Sequence, residues 1–186
     1  HNCLVGSEMC IRDRYNDATA TAEILVMGVK ALLSVGLKSI TVDLGVPSLA
    51  EKLLCNLSAD QSVLAKKSIL DKDIDALLKI DDKNINLIVK VMNASGSDGE
   101  ALLKLLPEMS EDARNMIDDM LFVAWQLRDA YPVLPITFDP LEMRGFDYHT
   151  GVGFSIFAEG LRGEIARGGA YPVSYTHLRA HETVVH

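Results

Sequence analysis

Aromatic residues divide this sequence into two parts, and the division constrains the fold more than any other feature. Between Tyr15 and Phe122 there is no aromatic residue, whereas nine occur from Phe122 to Tyr171. The first part is dominated by Leu, Ala, Lys and Asp, and the second is richer in Phe, Tyr and Gly. Because helix formers give way to residues that favour strands, the sequence predicts an α+β chain.

Apolar periodicity and cap residues place the elements. The predicted helices are residues 17–35, 47–57, 61–70, 72–80, 84–92, 99–105 and 111–130. The predicted strands are residues 39–45, 136–139, 154–159 and 163–167, with Gly160 in a hairpin turn. The close spacing of the last strands favours hairpins over crossover connections. We therefore expect an antiparallel sheet, ending in a meander, that is flanked by helices and interrupted by a helical insertion.

The two ends of the chain are predicted to have an origin different from that of its middle. Residues 4–14 and 173–182 can be encoded by one DNA sequence and its reverse complement, so the ends form an inverted repeat. That DNA resembles the adapter of transposase-built sequencing libraries. We expect residues 1–14 and 172–186 to be adapter-derived, and they carry no weight in the fold prediction.

Without those ends, the remaining residues can form fewer kinds of metal-binding or catalytic site. Of five histidines and three cysteines, only His149 and Cys55 lie between the ends, which excludes a His/Cys zinc site, a disulfide framework and a Cys–His dyad. Cys55 is predicted to be a buried apolar residue in a reducing compartment. The net charge is −8, and no cluster of basic residues forms a stripe that could bind phosphates, which argues against a nucleic-acid partner. No apolar run reaches the roughly 20 residues that span a bilayer, so we expect no membrane partner and a cytoplasmic location.

The candidate site begins in the run DPLEMRGFDYHTGVGFSIF, residues 139–157. Gly151 and Gly153 stand two residues apart where its strand begins, and glycines there favour close approach by a ligand or another backbone. Arg144 offers a planar fork of donors for a carboxylate or phosphate. The alternative for Arg144 is a surface ion pair with Asp139 or Glu142.

Two neighbouring side chains are further candidates to contact a ligand. Tyr148 offers a hydroxyl and a stacking ring, and its alternative role is a core tyrosine bonded to a backbone carbonyl. His149 is a ligand contact or a structural histidine. Since neighbours in a strand point to opposite faces, both enter one pocket only if the turn at Thr150 and Gly151 rotates the chain.

A second group of candidates comprises Asp147, Glu164, Gly168 and Gly169. Glu164 and Arg167 lie three residues apart, so we expect at most one of them on a given face of a strand. Gly168 and Gly169 either admit a ligand near the backbone or form an ordinary turn. We find no phosphate-binding loop or dinucleotide fingerprint, no nucleophile with an adjacent base and no metal site, so we predict no cofactor and no catalytic residue.

The run RGFDYHTGVGFSIF, residues 144–157, resembles the histidine-binding signature of histidyl-tRNA synthetases. There an Arg-Gly-Leu-Asp-Tyr-Tyr-Thr-Gly pattern leads into a strand, and a Gly-Gly-Arg-Tyr element follows. The chain is more similar to a non-translating relative, the regulatory-subunit family of ATP phosphoribosyltransferase, particularly its alphaproteobacterial form. The features that carry this likeness are DPLEMRGFDYHTG, FSIFAEGLRGEIARGG, DATATAEI and SILDKDIDAL.

The resemblance implies a truncated class II aminoacyl-tRNA synthetase-like core, residues 15–47 and 131–171, with a helical insertion at residues 48–130. It implies a non-catalytic subunit of histidine biosynthesis that associates with the short catalytic subunit of ATP phosphoribosyltransferase, activates it and helps make it sensitive to histidine. Arg144, Tyr148 and His149 correspond to synthetase positions that contact histidine or its adenylate.

The alternative is a fragment of a histidyl-tRNA synthetase catalytic core. His149 stands where the synthetase pattern has its second tyrosine, and Ala170 stands where the Gly-Gly-Arg-Tyr element has arginine. An ATP-binding motif before Asp17 and an anticodon-binding domain after Tyr171 are expected of a synthetase.

Overall fold

The sheet and helices form in the order that the sequence predicts. A computed structural model describes residues 17–144 and 149–170. The helices are α1 (Asp17–Ser34), α2 (Pro47–Leu53), α3 (Ala59–Leu70), α4 (Ile74–Leu77), α5 (Ile85–Asn93), α6 (Gly99–Leu103) and α7 (Glu111–Ala130), with a 3-10 turn at Leu106–Glu108. The strands are β1 (Ile40–Gly45), β2 (Ile136–Phe138), β3 (Gly153–Ala158) and β4 (Ala166–Gly169).

Side-chain caps set the beginnings of several helices. Ser58 and Gln61 form a capping box at α3, in which each side chain bonds the other residue's backbone N–H. The Ser110 hydroxyl accepts from the backbone N–H of Ala113, which starts α7 at Glu111 as predicted. Asp73 caps α4 in the same way, so this helix begins two residues later than the predicted 72–80.

The sheet is mixed, and the prediction of an antiparallel sheet is wrong at one pair of strands. Its order is β2-β1-β3-β4, with β1 parallel to β2 and antiparallel to β3. The whole helical segment connects β1 to β2, and a connection of that length can return the chain to the same end of the sheet. The predicted meander is also wrong, because β2 and β3 lie on opposite sides of β1.

The predicted hairpin between the last two strands is confirmed, with a shifted boundary. β3 and β4 pair antiparallel, and Gly160 lies in the connection with a φ of 81°. Gly163 has a φ of 77°, a backbone conformation in which a residue with a side chain is disfavoured. The turn therefore extends past Gly163, and β4 begins at Ala166 rather than at residue 163.

One face of the sheet is covered by α1 and α7. Val42, Leu44, Ile156 and Phe138 are buried on this face and belong to a single apolar cluster with both helices. A Cβ on Gly28 of α1 would lie 3.9 Å from Cδ1 of Ile156, so the helix lies directly against the sheet. The opposite face is therefore the one available to a ligand.

Two further features bear on the sequence predictions. Cys55 is exposed, so its predicted burial is wrong; it follows the end of α2 at Leu53 and lies outside the apolar face of that helix. No helix in the described residues is long and apolar enough to cross a bilayer. The division into a core and an insertion at residues 48–130 stays a prediction.

Candidate functional site

A row of polar side chains crosses the open face of the sheet. Asp43 on β1 pairs with Thr137 on β2 and with Ser155 on β3, and Ser155 pairs in turn with Arg167 on β4. Strand alternation puts the neighbours of these residues into the core on the other face. The sequence therefore builds one continuous polar line across all four strands.

Hydrogen bonds join this row at both ends. The Thr137 hydroxyl donates to the Asp43 carboxylate. At the other end, Oε2 of Glu164 accepts from the Ser155 hydroxyl at 3.0 Å and from Nε and Nη2 of Arg167 at 2.9 and 2.6 Å. The expectation that only one of Glu164 and Arg167 lies on a given face is wrong. Glu164 precedes β4, so strand alternation does not govern its direction.

A cavity of about 340 Å³ lies over this row. Its lining combines four carboxylates with two guanidinium groups. The lining residues are Asp43, Leu44, Gly45, Asp139, Glu142, Arg144, Ser155, Phe157, Glu164 and Arg167. The volume is in the range of small-molecule sites, and the mixed charges suit a ligand that carries both signs.

Arg144 reaches this cavity and is tied to the helical segment. Its Nη2 donates to the backbone carbonyl of Leu70, at the end of α3, and its own backbone N–H donates to Oε1 of Glu142 at 2.8 Å. The alternative of a surface ion pair with Asp139 or Glu142 is wrong, because Asp139 pairs with Lys72, 2.6 Å from Nζ to Oδ2, and Glu142 accepts from the backbone of Arg144 rather than from its side chain. Arg144 instead binds one of the carbonyls that a helix leaves unpaired at its end.

Asp139 is held at the rim of the cavity. Its Oδ1 is buried and has no hydrogen-bond partner within residues 17–144 and 149–170. Its backbone carbonyl lies against Gly45, where a Cβ would approach to 2.8 Å. Gly45 is therefore required for the close approach of β1 to the chain leaving β2.

His149 is buried and lines a second cavity of about 250 Å³. This cavity lies between α2, α3 and the loop before β3, and Glu51 and Lys66 at its wall form an ion pair of 2.8 Å. Arg144 lines both the first and the second cavity. The structure thus brings Arg144 and His149 to one cavity.

The other candidates separate from these two. Thr150 and Gly151 line a third cavity of about 130 Å³ near α7, and the Thr150 carbonyl accepts from the Ser48 hydroxyl at 3.2 Å. Gly153 pairs with Gly45 and Gly169 within the sheet. Asp147 and Tyr148 lie outside the described residues.

Gly168 and Gly169 lie within β4, not in a turn after it. A Cβ on Gly168 would lie 2.4 Å from Cζ of Phe154, and one on Gly169 would lie 2.5 Å from Cδ2 of His149. The sequence suggested that a ligand approaches these glycines closely. In the structure the groups that approach them are the rings of Phe154 and His149.

Several residues that line the first cavity were not predicted from the sequence to be site residues, chiefly Asp43, Asp139 and Ser155. Strand alternation in residues 39–45 carries a usable signal for Asp43, because it puts this side chain on the face opposite that of Ile40, Val42 and Leu44. The described residues contain no group of three His, Cys, Asp or Glu side chains positioned for a metal ion. The arrangement can bind a charged small molecule by paired charges and hydrogen bonds.

Comparison with known proteins gives the family. A family model for histidyl-tRNA synthetase matches residues 14–182. The ATP phosphoribosyltransferase regulatory subunit of Rhodospirillum centenum is 35% identical over 158 residues, which are 82% of this chain and 40% of that protein. The chain thus spans about two fifths of the length of this relative.

Solved structures agree on the fold. An ATP phosphoribosyltransferase regulatory subunit/histidyl-tRNA synthetase from Bacillus halodurans matches with a TM-score of 0.71 at 17% identity, covering 84% of this chain and 44% of that one. The ATP phosphoribosyl transferase complex from Thermotoga maritima matches with a TM-score of 0.69 at 21% identity, covering 85% and 58%. The synthetase-like fold is confirmed, with a mixed sheet. The chain belongs to the histidyl-tRNA synthetase family.

Proposed function

We propose that this chain is part of a regulatory subunit of ATP phosphoribosyltransferase, acting in the first step of histidine biosynthesis. The observation that carries the proposal is the 35% identity to the Rhodospirillum centenum regulatory subunit across 82% of this chain. The subunit would be non-catalytic by itself, cytoplasmic, and would assemble with the short catalytic subunit.

The ligand that we propose for the first cavity is histidine. Arg144 offers a guanidinium for the ligand carboxylate, and the carboxylates of Asp43 and Asp139 offer acceptors for its ammonium group. Histidine would then shift the assembly between quaternary states, provided that it binds one state more tightly than the other. This accounts for feedback without chemistry at the site.

The test uses the full-length gene product together with the short catalytic subunit of the same organism. We expect the two to elute as one complex and the rate of phosphoribosyl-ATP formation to rise above that of the catalytic subunit alone. Added histidine should lower the rate, and Arg144→Ala should weaken this inhibition. A product that neither binds the catalytic subunit nor raises its rate would refute the proposal.

A second candidate is the catalytic core of a histidyl-tRNA synthetase, since the family model that matches the chain carries that description. Its distinguishing activity is histidine-dependent exchange of pyrophosphate into ATP. We expect no such exchange from the full-length product. Measurable exchange, abolished by Arg144→Ala, would favour the synthetase.

A further inference from the structure

The turn that ends α3, residues 70–73, makes polar contacts with two residues that line the first cavity, Asp139 and Arg144. Lys72 places Nζ 2.6 Å from Oδ2 of Asp139. The carbonyl of Leu70 accepts from the guanidinium of Arg144. Asp139 and Arg144 both line the cavity, so a single turn of the helical segment contacts one carboxylate and one guanidinium group of the candidate site.

Backbone hydrogen bonds hold this turn in one conformation. The N–H of Lys72 donates to the carbonyl of Ile69 at 3.1 Å, and the N–H of Asp73 donates to that of Ser68 at 2.8 Å. This is the pair of bonds that closes a helix in a Schellman motif. Asp73 then caps α4 through the N–H of Ala76 at 2.9 Å. The turn therefore presents its two contacts as one rigid unit.

Lys72 occupies a backbone conformation that favours glycine. Its φ is 55°, in the left-handed region where a side chain is disfavoured and where helices commonly end in glycine. A glycine would complete the turn with less backbone strain but could not reach Asp139. What lysine adds at this position is an ammonium group on the carboxylate of Asp139.

The two groups that the turn supplies match the two ends of an amino acid. An ammonium group lies on Asp139 and an oxygen acceptor lies on Arg144, as the α-ammonium and α-carboxylate of a bound amino acid would. Helix ends carry partial negative charge on their last carbonyls, which makes the Leu70 oxygen a weak substitute for a carboxylate.

We propose that the turn at residues 70–73 is an intramolecular competitor for the amino-acid site. A ligand zwitterion displaces Lys72 from Asp139 and Leu70 from Arg144, and its binding thereby releases the α3–α4 junction from these two residues of the cavity lining. The inference rests on the proposed function for the choice of histidine as ligand. It adds the device by which occupancy of the site is transmitted to the helical segment.

The exposure of the contact fits an exchangeable role. The side chain of Lys72 is 47% exposed and that of Asp139 is 29% exposed. Ion pairs at such positions are screened by water and contribute little to stability. A ligand that offers a better-placed pair of charges can therefore replace them.

The experiment compares full-length wild-type protein with Lys72→Gly and Lys72→Gln by titration calorimetry with L-histidine. Both variants remove the competing ammonium group, and Lys72→Gly also relaxes the turn, so it is expected to fold. We expect both to bind histidine roughly two- to fivefold more tightly, the range that an exposed ion pair supports. Lys72→Arg keeps a cation and should bind like the wild type.

Two controls separate competition from a general change in charge. Lys67→Gln removes a neighbouring exposed cation of α3 and should leave the affinity unchanged. Imidazole carries neither an ammonium nor a carboxylate group, so its binding should not respond to Lys72→Gly. In wild-type protein, histidine should accelerate amide hydrogen exchange in residues 68–77, and this acceleration should be smaller in Lys72→Gly, where only the contact between Leu70 and Arg144 is left to displace.

Equal or weaker histidine binding by Lys72→Gly and Lys72→Gln would overturn the inference, as would the absence of histidine binding from wild type and variants alike. Neither result decides the proposed function, because activation of the catalytic subunit is measured separately as the rate of phosphoribosyl-ATP formation. Conversely, tighter binding by both variants without any activation would support the competitor and refute the proposed function.

Discussion

Thr137 and Asp43 lie directly opposite each other on neighbouring parallel strands, and the Thr137 hydroxyl donates a hydrogen bond to the Asp43 carboxylate. The contact follows from the register of β2 against β1, which sets Thr137 beside Asp43. It directs one carboxylate oxygen of Asp43 toward β2 at the edge of the first cavity. Sheet topology thus orients a residue of the candidate site.

Removing this hydroxyl tests the orientation. We expect Thr137→Val, which keeps the size and β-branching of the side chain, to lower the free energy of unfolding by about 1–2 kcal/mol, since a hydrogen bond to a charged group is lost. Urea unfolding of the full-length protein measures the change. Thr137→Ser retains the hydroxyl and should be less destabilising, and equal stability of wild type and Thr137→Val would contradict the prediction.

Arg144 is predicted to dominate the affinity for histidine. Arg144→Ala should weaken binding about 10- to 100-fold, because a charge-assisted hydrogen bond to the ligand carboxylate is removed. Arg144→Lys should recover only part of the affinity, since an ammonium group lacks the planar fork. Calorimetry measures both.

The control for Arg144 is Arg162→Ala. Arg162 is an exposed arginine in the β3–β4 connection and does not line the first cavity. An equal loss of affinity in this variant would mean that overall charge, not the site, governs binding.

The shared acceptor Oε2 of Glu164 predicts coupling between Ser155 and Glu164. Ser155→Ala and Glu164→Ala should each destabilise the protein, and the double variant should lose about 0.5–1.5 kcal/mol less than the sum of the two, because both changes remove the same hydrogen bond. Urea unfolding of the four proteins gives the coupling energy. Strict additivity would show that the 3.0 Å contact does not contribute.

Two glycines should respond to alanine with opposite signs. Gly28→Ala, within α1, should stabilise the protein by about 0.5–1 kcal/mol, because alanine favours a helix interior. Its Cβ would meet Ile156 at an ordinary contact of 3.9 Å.

Gly45→Ala should instead destabilise by about 1–3 kcal/mol, the usual effect of overpacking. Its Cβ would lie 2.8 Å from the backbone carbonyl of Asp139, which has little freedom to move. Thermal unfolding measures both variants. A stabilising Gly45→Ala would show that β1 and the chain after β2 are less closely apposed.

Sequence signals such as helix caps and apolar periodicity predicted the helices and strands better than they predicted the order of the strands in the sheet. The bounds of α7 follow from the Ser110 cap and an unbroken apolar face, both of which are readable in the sequence. The order of the strands does not follow, because alternation identifies the buried face of β1 but not its neighbours. The three residues of β2 carry too little pattern to distinguish a parallel partner from a hairpin.

The proximity of candidate residues was predictable where they cluster in sequence and not where the fold assembles them. Arg144 and His149 belong to one run, and both line the second cavity. Lys72 lies far from that run, and its contact with Asp139 depends on a left-handed turn at the end of α3. The three-residue spacing of Glu164 and Arg167 predicted that they lie on opposite faces of a strand. This prediction is wrong because only Arg167 belongs to a strand.

The central position of β1 has a consequence for how the protein folds during synthesis. Both of its neighbours, β2 and β3, come from residues after the helical segment. While α1 to α7 can form from local contacts, one hydrogen-bonding edge of β1 stays unpaired until Phe138 of β2 has left the ribosome, and the other until Ala158 of β3 has done so. Such late, non-local pairing slows folding and exposes an aggregation-prone edge, which makes the nascent chain a natural client for chaperones.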